Sequence, residues 1–70
     1  MKYANVFNVL INGETIATFE KFHSCRAKTP YGLLITNEKT GVEDVRYYQS
    51  ERAMDARITM YKNRFLRIYG

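Results

Sequence analysis

The dipeptide Asn12-Gly13 constrains this chain more than any other feature. Both residue types tolerate positive φ, and an Asn-Gly pair between two β-forming runs is a strong short-range signal for a tight hairpin. Both runs are present. Residues 3–11 contain Val6, Phe7, Val9, Leu10 and Ile11. Residues 15–22 alternate, with Ile16 and Phe22 to one side and Ala17 and Phe19 to the other. A two-residue loop would pair Val9 with Ile16 and Val6 with Phe19. A three-residue loop would pair Phe7 with Phe19 and Val9 with Ala17. The second register gathers Phe7, Val9, Ile11, Ala17 and Phe19 on one face, so it is the one expected; a one-residue slip would exchange the faces.

The rest of the chain extends this start. Residues 23–30 read as a loop, because Thr29 before Pro30 is biased away from helix. Residues 33–36 form a short apolar run, and Asn37-Glu38-Lys39-Thr40-Gly41 has turn chemistry. Residues 42–48 alternate Val45 and Tyr47 with Asp44 and Arg46, which predicts a second, longer-looped hairpin. In Tyr47-Tyr48 one ring falls on each sheet face, one toward the core and one exposed or under the loop. Ser50 is a good helix N-cap, with Glu51 in the first turn where a carboxylate suits the helix dipole. Met54, Ile58, Tyr61, Phe65 and Ile68 then recur at helical spacing and, with Tyr69, form one apolar stripe. Gly70 can end the helix. The expectation is an α+β fold of order β-β-β-β-α: two antiparallel hairpins forming a four-stranded sheet, with one C-terminal amphipathic helix on one face.

Length limits what such a fold can do. Residues 1–70 are read as a single domain, and a chain this short buries only about 60% of the surface it exposes unfolded. A deep substrate cleft is not expected. With 46% hydrophobic and 26% charged residues, the chain has enough apolar surface to fold. It has one cysteine, so no intramolecular disulfide can form. No apolar run approaches the roughly 20 residues of a membrane span. Asn5 and Asn8 interrupt the apolar start of the chain, so no signal peptide is read and a cytoplasmic location is the default.

The candidates for chemistry are few. His23-Ser24-Cys25 is the one grouping of a nucleophile with a base, and it lacks an orienting third group. One His and one Cys cannot close a zinc site, and Glu43-Asp44 is a lone acidic pair. Glycines 13, 32, 41 and 70 stand apart, so there is neither a dinucleotide fingerprint nor a phosphate-binding loop. The sequence therefore reads as non-enzymatic, with no cofactor and no metal.

Binding is better represented. The net charge of +4 is unevenly spread: residues 21–31 carry +3 and residues 56–70 carry +4, neither with an acid. At about 100° per residue, Arg57, Arg64 and Arg67 fall on one flank of the helix stripe with Met60 among them. Lys62 and Leu66 fall on the other side. Guanidinium forks bind carboxylates or phosphates, and Arg beside Met and Tyr is the composition of protein interfaces. The plain alternative is a solvated flank. A second basic patch comprises Lys21, Arg26 and Lys28 with Tyr31, read as a loop able to track a nucleic-acid backbone and stack a base. The first expectation is a small non-enzymatic module that docks on a larger protein or complex with an acidic surface and modulates or inhibits it, as a viral or regulatory small protein would. If 70 residues are the whole protein, no second domain supplies chemistry. The other expectation is a nucleic-acid-binding protein using both basic stretches. A homodimer through a strand edge or helix face is also open to a chain of this size.

Overall fold

The computed structural model describes residues 5–70. Tyr3 and Ala4, the start of the first β-forming run expected from the sequence, lie outside the described residues. The elements are β1 (Asn5–Ile11), β2 (Glu14–His23), β3 (Tyr31–Asn37), β4 (Glu43–Tyr48) and α1 (Glu51–Tyr69). The strands form one antiparallel sheet in the order β1-β2-β3-β4, and α1 packs across all four. This is the expected α+β architecture.

The first hairpin satisfies both registers in turn. Asn12 and Gly13 sit at φ of 52° and 81°, closing a two-residue turn between Ile11 and Glu14. Leu10 then pairs with Thr15, but Val9 pairs with Ala17 and Phe7 with Phe19. The skipped residue is Ile16, a β-bulge that converts the turn's register into the one that fills the core. Because of it, Ile16 and Ala17 both enter the core, instead of facing opposite sides as strict alternation predicted.

Register carries this face across the sheet. Phe19 pairs with Ile35, and Lys21 with Leu33, which in turn faces Arg46. The helix face therefore holds Val9, Ala17, Phe19, Leu33 and Ile35, all buried, against Met54 and Phe65 of α1. The other face holds Val6, Leu10, Phe22, Leu34, Val45 and Tyr47. Gly32 sits there because the Phe22 ring lies where a Cβ would be. In β4 the parity runs against apolarity: Val45 and Tyr47 point to the open face, and Asp44, Arg46 and Tyr48 to the helix face. An edge strand only partly covered by the helix tolerates this, since its charged ends still reach water.

The turns close as their residues dictate. Asn37 Oδ1 accepts from the backbone N–H groups of Lys39 and Thr40, and Gly41 takes the left-handed conformation at φ 78°. Ser50 Oγ accepts from the Ala53 N–H, and the Gly70 N–H donates to the Leu66 carbonyl. At the C-terminal end Ile68 departs from expectation. It is 63% exposed, and Tyr69 takes the stripe position instead. The Tyr69 ring stacks on Phe65 and its hydroxyl accepts from Asn37 Nδ2 at 3.3 Å, contacts that hold this turn of the helix with Tyr69 inward.

Candidate functional site

The two flanks of α1 differ in how their charges are used. On the flank over β1 and β2, Glu51 and Asp55 face Lys21. The Lys21 ammonium lies 2.7 Å from Asp55 and 3.6 Å from Glu51, and 5.3 Å above the Phe7 ring. Its side chain is buried. Pairing with two carboxylates makes that burial tolerable, and the aliphatic stem packs with the core.

On the flank over β4 the cations have no such partners. Arg57, Arg64 and Arg67 are exposed, as is Arg46 on the neighbouring strand. Among the described residues, none of them is within ion-pairing distance of a carboxylate. Arg57 donates to the Met60 sulfur at 3.3 Å, and Arg64 lies 5.9 Å from the Tyr61 ring centre. These contacts orient the side chains without neutralising them. The acids of α1 are concentrated on one side, so the positive charge is left on the other.

Tyr48 of β4 and Tyr61 of α1, both half-buried, lie between the helix and β4 beneath these arginines. Burial pushes the Tyr48 hydroxyl above its ordinary pKa, and the neighbouring Tyr61 adds to this. The positive charges of Arg57 and Arg46 act in the opposite direction.

Toward the C-terminal end of α1 the seam opens into a shallow groove of about 310 Å³, lined by Asn37, Val42, Asp44, Tyr61, Arg64 and Ile68, among others. Val42 and Ile68 are exposed at its edge, and Met60 is exposed on the helix above. Arg64 and the Asp44 carboxylate both line the groove, and the other guanidiniums, exposed aliphatic groups and a thioether lie along the seam around it. Such a surface can pair with carboxylates or phosphates while burying apolar area.

Arg57, Met60, Arg64 and Arg67 are thus brought together on one flank, as their helical spacing implied. Arg46 and Tyr48 complete the rim, and helical spacing within α1 gave no sign of them. The second expected patch does not assemble. Lys21 belongs to β2, not to a loop, and its ammonium is held inward by Asp55 and Glu51. Tyr31 opens β3 on the helix face, half-buried beside the His23 ring. Arg26 goes to the opposite face, with its guanidinium 4.1 Å over the Tyr47 ring, and Tyr47 meets Phe22 edge to face. Lys28 is exposed in the loop over residues 24–30. Sequence proximity joins these residues, but Lys21 and Tyr31 belong to strands on the helix face while Arg26 and Lys28 lie in the loop, with Arg26 turned to the opposite face.

Cys25 is exposed, and His23 is the last residue of β2, its ring against Tyr31. Among the described residues no three His, Cys, Asp or Glu side chains are grouped to hold a metal. No helix of the described residues is long and apolar enough to cross a membrane.

Compared with protein-family models, with curated proteins and with solved structures, the chain matches none.

Proposed function

We propose that this protein is a non-enzymatic docking module that binds an acidic surface of a larger protein through the α1–β4 rim. One observation supports the reading above all. Arg46, Arg57, Arg64 and Arg67 lie without carboxylate partners among the described residues, beside the exposed apolar groups of Val42, Met60 and Ile68. A purely solvated flank needs no aliphatic groups between its charges. A phosphate backbone would use the arginines and leave the aliphatic groups idle. An acidic protein surface with apolar patches uses both. Docking there acts by occupying the partner's surface, which is the sense in which the module modulates or inhibits it.

Quantitative affinity capture from nuclease-treated lysate tests this, comparing the wild type with Arg57→Glu/Arg64→Glu and with Met60→Ala. The expected outcome is a discrete protein partner, lost with the charge reversal and reduced by Met60→Ala. Fluorescence anisotropy against mixed-sequence DNA and RNA at low and physiological salt runs beside it. Tight binding that falls steeply with salt, unaffected by Met60→Ala, overturns the protein reading in favour of phosphate contacts.

A further inference from the structure

The two edges of the sheet are built differently. The β4 edge carries Glu43, Asp44 and Arg46. Charges on an edge strand discourage pairing with another chain. The β1 edge reads Asn-Val-Phe-Asn-Val-Leu-Ile, with no charged residue and no proline. The bulge at Ile16 places its extra residue on β2, so β1 runs unbroken from Asn5 to Ile11. Val6, Phe7 and Leu10 are 56%, 43% and 57% exposed. Among the described residues no strand pairs with the outer edge of β1.

This strand is complementary to itself. Antiparallel partners share a face, so a two-fold axis relating two copies of one strand passes through a residue paired with its own copy. Asn8 is the middle of β1. An axis there sets Phe7 opposite the partner's Val9 and Val6 opposite the partner's Leu10, with the two Asn8 amides facing each other on the axis. Every inner pair is apolar with apolar or amide with amide, and no like charges meet. Beside β1, a groove of about 370 Å³ runs under α1, lined by Phe7, Val9, Phe19, Ile58 and Lys62 among others. The partner's Phe7, opposite Val9, would stand at its mouth.

We infer that the protein forms a homodimer by antiparallel pairing of β1 with β1 of a second copy about an axis at Asn8. The two sheets become one of eight strands, with both helices on the same face. The β4 edges lie at its far ends, so each copy keeps its α1–β4 rim open. The inference is independent of what the rim binds.

The test combines mass in solution with cross-linking. Light scattering coupled to size exclusion should give twice the chain mass for the wild type. Asn8→Lys sets two ammonium groups on the axis and should weaken the dimer at least about tenfold, with circular dichroism unchanged. Leu10→Lys, exposed and outside the core, serves the same purpose should Asn8→Lys misfold. In a Cys25→Ser background, Asn8→Cys should cross-link under mild oxidation, since paired Cα atoms across such a ladder lie about 4.5–5.5 Å apart. Val45→Cys, midway along β4, should not. A wild-type protein that stays monomeric at its highest soluble concentration overturns the inference. So does a dimer indifferent to both lysine variants, or one that cross-links through position 45 in preference to position 8.

Discussion

The flank of α1 over β2 and the flank over β4 carry comparable amounts of charge and use it in opposite ways. Over β2, a buried lysine and two half-exposed carboxylates satisfy one another, and the cluster ties the first turns of the helix to the sheet. Over β4, the arginines meet a methionine sulfur, a tyrosine ring and solvent. A charge whose partner is internal serves the fold. A charge whose partners are absent from the fold adds little to stability and is available to a ligand. Arg46, Arg57, Arg64 and Arg67 thus gather four cations without carboxylate partners, among the described residues, along one seam.

Between the flanks lies the shared apolar stripe, and the largest effect belongs there. Phe19 is fully buried and packs edge to face on Phe65. Phe19→Ala should cost about 3–5 kcal/mol, measured by urea denaturation, and should loosen both flanks together. Removing the paired flank comes next. Lys21→Ala leaves Asp55 and Glu51 without their buried partner and should cost about 1–3 kcal/mol by the same measurement.

A smaller effect appears at high pH. Burial, then repulsion from Tyr61, raises the Tyr48 pKa above its ordinary 10.0, so the folded chain keeps a proton that the unfolded chain has lost. Its contribution is complete below about pH 10 and fades as pH rises through that value toward the raised one. Unfolding free energy measured from pH 9 to 11 should fall less steeply in Tyr48→Phe than in the wild type. The smallest effect is on the open flank. Arg57→Ala and Arg64→Ala should each leave stability within about 0.5 kcal/mol of wild type. A loss as large as that of Lys21→Ala would mean that the β4 flank is structural too, and the contrast would disappear.

How much of this was legible in the sequence follows from range. Asn12-Gly13 announces its hairpin and Ser50 its helix because turn and cap chemistry is local. The line of Arg57, Met60, Arg64 and Arg67 is legible because helical spacing alone places them. Alternation alone puts Ile16 on the wrong side, because a bulge cancels it. Sequence proximity groups Lys21 with the loop cations, because its partners, Glu51 and Asp55, lie a whole hairpin away in sequence. Helical spacing alone puts Ile68 in the buried stripe, because the stripe's last turn is decided by Asn37 reaching Tyr69, a contact between distant residues. Arg46 is not legible as a rim residue for the same reason: only the pairing of Leu33 with Arg46 shows which face of β4 the helix covers.

On the reading proposed above, the α1–β4 rim docks a protein while the opposite flank holds the fold. Site-specific photo-cross-linking tests it most directly, with a benzophenone amino acid at position 60 in the rim or at position 18 on the open sheet face. One discrete protein adduct is expected from position 60, resistant to nuclease, lost in Arg57→Glu/Arg64→Glu, and absent from position 18. An adduct that nuclease removes, or one that persists through the charge reversal, would contradict it.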